Sequence, residues 1–174
     1  MSSKVSHAIK ARENAKDVFI TPRDLALSHI KMIDSNPDDI WMDPCRYSAE
    51  GSYFSQFPNN DTVKVWCEIS EGVSFFDCDE KVDVICCNPP YSILDKWFKK
   101  CIELNPRVFS MLIGIGNLTA RRIEWCEKAG YGLKKMRMMK VNKWYGMSVI
   151  VVFEKGAESV MEIDRKLWYE DSKN

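Results

Sequence analysis

No stretch of this 174-residue chain is apolar over the roughly 20 residues that a membrane span requires, and the opening MSSKVSHAIKARENAKD has no apolar centre of the kind found in secretory signals. Neither membrane insertion nor secretion is expected. The C-x-x-C pattern is missing as well. The seven cysteines (Cys45, Cys67, Cys78, Cys86, Cys87, Cys101 and Cys126) are odd in number and signal neither a disulfide framework nor a four-cysteine zinc site. No metal is expected, and a reducing compartment, cytoplasm or nucleus, fits this cysteine usage. Histidine is scarce: His7 lies in a polar arm and His29 sits at helical spacing among apolar residues, so neither marks a site. What is present, 45% hydrophobic and 29% charged residues, suits one globular domain with a substantial core.

Net charge is also absent, with 25 Lys plus Arg against 25 Asp plus Glu, but the charges are segregated along the chain. Asp34 to Asp95 holds 13 acidic and 3 basic residues, whereas Lys96 to Lys155 holds 13 basic and 4 acidic. Such asymmetry suggests a side that faces a polyanion. The alternative is that segregation in sequence does not become segregation in space.

Periodicity predicts a polar helix over about Lys4–Lys16 and a second helix starting at Thr21-Pro22, where Thr can cap and Pro suits the first turn. Short apolar runs bounded by turn residues predict strands at Ile40–Asp43, Val63–Glu68, Val82–Cys87 and Val108–Ile113. Helices are predicted at Ser92–Leu104 and about Thr119–Ala129, the latter stopped by Gly130. Leu133–Val141 and Met147–Phe153 read as an antiparallel closing hairpin. Strands alternating with helices and then a hairpin imply an α/β domain of three layers with a mostly parallel sheet. Residues 1–17 are expected to be a polar arm or helix, 18–156 the main domain, and 157–174 a peripheral tail.

The sharpest feature is Asn88-Pro89-Pro90-Tyr91, directly after an apolar strand and before a helix. Ligands in open α/β sheets sit at the carboxyl ends of strands. Two successive prolines stiffen the chain and supply no N–H, so their carbonyls are available as acceptors. Asn88 adds an amide oxygen and Tyr91 a flat aromatic face, which together suit a planar group carrying an amine.

At this tetrapeptide the chain resembles the amino-group methyltransferases that use S-adenosylmethionine, most closely the N6-adenine DNA methyltransferases. Phe19-Ile20-Thr21-Pro22 resembles their N-terminal cofactor motif, and Asp43-Pro44-Cys45 with Gly51-Ser52-Tyr53-Phe54 resembles their loop after the first strand. Glu68 stands where the family has its ribose acid and Asp77 where it has an acid near the cofactor adenine. The loop after Asp43 departs from the pattern: it is longer, and Tyr47 or Ser48 stands in the region of the first family glycine. The resemblance covers roughly residues 18–154 and implies a Rossmann-like methyltransferase fold with a seven-stranded sheet. It further implies S-adenosylmethionine as cofactor, held by Phe19, Thr21, Pro22, Asp43, Pro44, Cys45, Gly51, Glu68, Asp77 and Asn88, and catalysis by Asn88, Pro89, Pro90 and Tyr91. No separate target-recognition domain is expected in this length, so specificity would fall to a partner subunit or a homodimer. A small enzyme of this type suits a phage or virus, which would place it in the host cytoplasm.

Physical reasoning on single residues agrees. A carboxylate ending a second strand, as Glu68 does, can accept hydrogen bonds from a ribose diol. Asp77 suits an adenine amine, with Asp79 and Glu80 as neighbouring alternatives. The lone pair of an exocyclic amine is delocalised into its ring, so acceptors at Asn88 and the Pro89 carbonyl would favour a geometry that aims it at the methyl donor. Alignment then supplies much of the catalysis, and a base in a duplex must first be flipped out. Lys134, Lys135, Arg137, Lys140 and Lys143, interleaved with Trp144 and Tyr145, suit phosphates and a displaced base, as do Arg121 and Arg122. The competing view makes Met136, Met138, Met139 and Val141 core residues with lysines directed outward. DNA is thus the expected partner. RNA bases, a protein glutamine amide, and a non-catalytic nucleic-acid-binding subunit of the same fold are the alternatives.

Overall fold

The protein is described here by a computed structural model covering residues 19–48, 50–58, 64–139 and 147–163. The predicted arm at 1–17 lies outside the described residues, as do Lys140, Val141, Lys143, Trp144, Tyr145 and the end of the tail from residue 164.

Six apolar runs become six strands: β1 (Trp41–Asp43), β2 (Val65–Trp66), β3 (Val84–Cys87), β4 (Val108–Gly114), β5 (Tyr131–Met139) and β6 (Ser148–Lys155). They form one sheet in the order β2-β1-β3-β4-β6-β5. The first four strands are parallel, and β6 joins β4 and β5 antiparallel. Both faces are buried, because successive residues of a strand point to opposite sides. Ile85, Phe109, Met111, Val151 and Phe153 face one core with α2 (Leu94–Leu104) and α3 (Ala120–Lys128). Trp41, Val84, Val108, Leu112 and Ile150 face the other with Ala26 and Ile30 of α1 (Arg23–Ile30).

The helices follow their apolar spacing. Leu94, Trp97, Phe98 and Cys101 recur on one face of α2 and are all buried. Phe98 sets its edge against Phe109 and Phe153, whose rings stack at 5.0 Å. Truncating one of these rings to Ala would cost about 3 to 5 kcal/mol. The hydroxyl of Thr119 caps α3 through the Arg122 N–H, and Gly130, at φ +85°, ends it in a conformation that suits glycine.

Four expectations need correction. The described residues form six strands where the resemblance implied seven. Between β2 and β3 the chain makes 3-10 turns at Ile69–Glu71 and Phe75–Asp77 and an isolated bridge between Glu68 and Val73. A further parallel strand would need two crossovers of about a dozen residues each, more than this connection holds. Thr21 does not cap α1: the helix begins at Arg23 with Pro22 at its cap, so the Thr21 side chain stands one position too early and turns elsewhere. The stretch predicted as the start of α2 is a 3-10 turn, Tyr91–Ile93. Finally, residues 157–163 are docked rather than peripheral. The Val160 N–H donates to the Leu133 carbonyl at 2.9 Å on the edge strand, and Met161 and Ile163 pack on the core.

The topology locates a crevice. From β1 the chain passes to β2 on one side and then to β3 on the other, so β1 and β3 flank the switch point at which open α/β sheets receive ligands. The carboxyl ends of the parallel strands share this end of the sheet with Met139 and Ser148, since Gly114 pairs with Ser148 and Ser148 with Met139. Tyr131, Glu154 and Lys155 lie at the opposite end.

Candidate active site

Asp43 closes β1 and Asn88 follows β3, placing the two motifs on either side of the switch point. The Asp43 carboxylate is buried and accepts from the Cys45 and Phe54 N–H groups, both at 3.2 Å, which pins both ends of the intervening loop. Burial pushes its pKa up to about 7, against the pull of those two N–H groups. The Cys45 thiol donates to the Asn88 carbonyl at 3.4 Å, joining the loops after β1 and β3. Hydrogen bonding to Cys87 and burial raise the Cys45 thiol pKa well above its ordinary value, so it stays protonated. Pro44 and Pro89 are buried beside them.

The departure in this loop has a structural resolution. Tyr47, one of the two residues in the region where the resemblance calls for a glycine, adopts φ +65°, the left-handed conformation that glycine favours. The Glu68 carboxylate accounts for it: one oxygen accepts from the Tyr47 N–H at 2.8 Å, while the other accepts from the Ser70 N–H and hydroxyl at 3.0 and 2.6 Å. Burial opposes ionisation of Glu68, but the Ser70 and Tyr47 donors and the Arg46 charge together lower its pKa. Arg46 lies over the Trp66 ring at 3.4 Å and pairs with Glu71 at 2.8 Å. Gly51 serves the loop itself. A Cβ there would stand 2.1 Å from the Arg46 carbonyl oxygen, so the close backbone approach is internal to the turn.

Asn88 is the centre of the arrangement. Its amide nitrogen donates to the Thr21 hydroxyl at 3.2 Å and the Phe19 carbonyl at 3.4 Å, which brings the two motifs into contact across 67 positions of sequence. Its amide oxygen is buried and has no hydrogen-bond partner among the described residues. A buried acceptor left in this state is costly and is uncommon in native structures. Tyr91 is 38% exposed, with its ring edge near the position a Gly114 Cβ would occupy. Asp77 is exposed on the rim, on a turn held by the packing of Phe75 and Phe76 against Trp97 at 4.6 and 5.7 Å. Phe19, Ile20, Tyr47, Ile69, Phe76, Met138 and Met147 are also exposed, all in segments at this end of the sheet, and exposed apolar groups of this kind mark binding surfaces.

The basic candidates divide. Lys134 and Lys135 lie toward the opposite end of the sheet, where a bulge after Leu133 turns both to the α1 side. Lys134 pairs with Glu154 and Asp34 at 2.8 and 3.1 Å, and Lys135 with Asp34 at 2.7 Å. Arg137 donates to the Ser28 hydroxyl at 2.7 Å. Arg121 and Arg122 clamp Asp95 at 2.7 and 2.8 Å. Much of the charge asymmetry along the chain is therefore consumed in pairs between its acidic and basic halves, the Arg107–Asp39 pair among them. Lys140, Lys143, Trp144 and Tyr145 lie outside the described residues; on either side of them β5 ends at Met139 and β6 begins at Ser148, which pairs with both Met139 and Gly114. Sequence reasoning passed over His29 and gave no role to Tyr53. Both are buried beneath Thr21, where the Tyr53 hydroxyl meets His29 at 2.9 Å.

No protein-family model matches the chain, and no curated protein matches it in sequence. Solved structures do. TrmK of M. capricolum in complex with S-adenosyl-homocysteine aligns at a TM-score of 0.58 and 11% identity, over 84% of this chain and 74% of that one. A modification subunit assigned to a type I restriction enzyme of Vibrio vulnificus YJ016 aligns at 0.57 and 14% identity, over 89% of this chain and 48% of that one. TrmN of Thermus thermophilus aligns at 0.53 and 16% identity, over 79% and 50%. The chain thus spans about half the length of the last two. Its fold is the Rossmann-like methyltransferase fold.

Proposed function

We propose that this chain transfers a methyl group from S-adenosylmethionine to an exocyclic amine of a nucleic-acid base, with adenine N6 in DNA as the favoured acceptor. The buried, unpartnered amide oxygen of Asn88 at the switch point carries this reading. It is an acceptor in search of an N–H, next to stiff proline carbonyls and an aromatic face. The catalytic unit is residues 18–156.

The residues present fit the cofactor by their chemistry. Asp43, Glu68 and Asp77 line one end of the sheet with carboxylates that suit its ammonium, ribose hydroxyls and adenine amine, the ribose going to Glu68. Phe19, Thr21, Pro22, Pro44, Cys45 and Gly51 shape the walls, and Tyr47 supplies the left-handed turn in place of glycine. When bound, the cofactor supplies a methyl group already activated on a sulfonium.

This chain's task is orientation. Asn88 Oδ1 and the Pro89 carbonyl accept one N–H each from the acceptor amine, which turns its lone pair out of the ring plane toward the donor. Asn88 is neutral and orients the amine without deprotonating it. Tyr91 stacks on the base, which in a duplex is first flipped. Trp144 or Tyr145 is the proposed second face, with Lys140 and Lys143 on phosphates, because the flanking strand residues Met139 and Ser148 pair with each other at the end of the sheet where Ser148 also pairs with Gly114. Arg121, Arg122, Lys134, Lys135 and Arg137 are secondary, because each already has a partner in the fold.

An RNA base is the second reading, favoured by the RNA-modifying enzymes among the fold neighbours, such as the 23S rRNA methyltransferase ErmE. Incubation with methyl-labelled cofactor and a panel of DNA, RNA and protein acceptors, followed by digestion, decides between them. Label in N6-methyladenine of DNA is the expected product. Label only in RNA or in glutamine replaces the acceptor, and no transfer with no cofactor binding removes the enzyme reading.

A further inference from the structure

Beneath Asn88 runs a line of buried polar side chains. Asn88 Nδ2 donates to Thr21 Oγ1 at 3.2 Å, and Thr21 in turn hydrogen-bonds the Tyr53 hydroxyl. Tyr53 meets His29 Nδ1 at 2.9 Å, His29 Nε2 meets Ser110 Oγ at 2.7 Å, and Ser110 Oγ reaches the Val151 carbonyl at 2.8 Å. Thr21, Tyr53, His29 and Ser110 are all at most 4% exposed.

The direction of this line follows from counting hydrogens. A carbonyl only accepts, so Ser110 must donate its single hydrogen to Val151 and accept from His29 Nε2–H. His29 is then protonated on Nε2, which leaves Nδ1 to accept the Tyr53 hydrogen. With that hydrogen committed, the Tyr53 oxygen accepts from the Thr21 hydroxyl, and the Thr21 oxygen accepts from Asn88. Only the NH2 side of the Asn88 amide can face Thr21 in this order. Its oxygen is thereby turned away from Thr21, an orientation that the Phe19 carbonyl, which can only accept, also requires. Burial and the nearby Arg137 charge lower the His29 pKa to about 3, so the ring stays neutral near neutral pH and the order of donors is kept.

We propose that Thr21, Tyr53, His29 and Ser110 are positioning residues that set the Asn88 amide so that its oxygen, not its NH2, receives the acceptor amine. An amide turned over would present a donor to a donor. The proposal rests on the assignment of Asn88 to the acceptor amine, and it extends that assignment through Thr21 to Tyr53, His29 and Ser110, which touch neither cofactor nor acceptor.

Two measurements test it. In 15N-labelled parental protein, NMR should show His29 as a neutral ring protonated on Nε2; a ring protonated on Nδ1 overturns the proposed order without any variant. The Asn88 side-chain amide signals, identified by their loss in Asn88→Ala, should move in Tyr53→Phe, which keeps the ring but removes the hydroxyl. Unmoved signals overturn the proposal.

Single-turnover transfer from S-adenosylmethionine to an adenine-containing DNA oligonucleotide supplies the second measurement. Tyr53→Phe should lower the rate about tenfold with cofactor affinity unchanged, and should lower it no further in an Asn88→Ala background. An equal tenfold loss in that background means a general structural role and overturns the proposal. A parental rate in Asn88→Ala, or no transfer by the parental protein, overturns the proposed function instead, and the NMR result still decides the line of hydrogen bonds.

Discussion

Asn88 and Thr21, 67 positions apart, meet at 3.2 Å, and the contact commits the nitrogen of the Asn88 amide while its oxygen stays without a partner. Asn88→Ala therefore removes the oxygen proposed to orient the acceptor amine, along with the hydrogen bonds to Thr21 and Phe19. Cofactor affinity by calorimetry should stay within about twofold of the parental value, while single-turnover methyl transfer falls on the order of a hundredfold. A folded Asn88→Ala protein that transfers at the parental rate would reduce the tetrapeptide to a turn.

Tyr91 leaves its aromatic ring partly exposed, and the ring is what a stacked base would use. Tyr91→Phe should keep most of the transfer activity. Tyr91→Ala should lose the stacking worth about 1 to 3 kcal/mol per base, read as weaker binding of a target oligonucleotide. Equal losses in the two variants would assign the effect to the hydroxyl and count against stacking.

Glu68 holds the loop as well as serving the proposed ribose site. Glu68→Ala should weaken cofactor binding by about 1.5 to 3 kcal/mol through lost charge-assisted hydrogen bonds. It should also lower thermal stability in the absence of cofactor, because the Tyr47 N–H and the Ser70 donors lose their acceptor. Unchanged cofactor affinity together with lowered stability would confine Glu68 to the loop.

Asp43 and Glu68 should leave opposite marks on stability against pH. Asp43 titrates at about 7 in the folded chain and near 4 when unfolded, so the folded state binds the extra proton between these values. Parental stability relative to Asp43→Asn should therefore fall as pH rises from about 4 to 7 and level off above. The Glu68 pKa is lowered on folding, so its contribution is present above the ordinary glutamate value and lost as pH falls through the lowered one. Chemical denaturation of the parental protein, Asp43→Asn and Glu68→Gln at a series of pH values reads both slopes. A pH-independent difference for Asp43→Asn would mean that the buried carboxylate does not titrate in this range.

The basic residues should separate by position. Neutralising Lys134 and Lys135 should leave the salt dependence of nucleic-acid binding at its parental slope, because both are paired away from the crevice. Neutralising Lys140 and Lys143 should flatten the slope of log affinity against log salt by roughly 0.7 to 0.9 for each contact. Filter binding across a salt series measures this. The reverse outcome would move the nucleic-acid face to the far end of β5.

The layers and most of the strands and helices of this protein follow from features that act locally. Short runs such as Val84–Cys87 can be satisfied only between two covering layers, and the spacing of Leu94, Trp97, Phe98 and Cys101 admits one buried helix face. The motif at Asn88–Tyr91 is equally legible, because proline stiffness and side-chain chemistry are properties of the residues themselves. Partner choice is not. Whether Lys134 meets a phosphate or Asp34, and whether Thr21 caps a helix or receives Asn88, depends on which residues the sheet order brings within hydrogen-bond distance from far along the chain. The same holds for Tyr47, whose left-handed turn is held by a carboxylate 21 positions away, and for His29, whose apolar spacing in sequence conceals the line of hydrogen bonds it completes between Tyr53 and Ser110. Secondary structure is written in local periodicity, whereas the pairing of buried polar groups is set only when distant segments close around them.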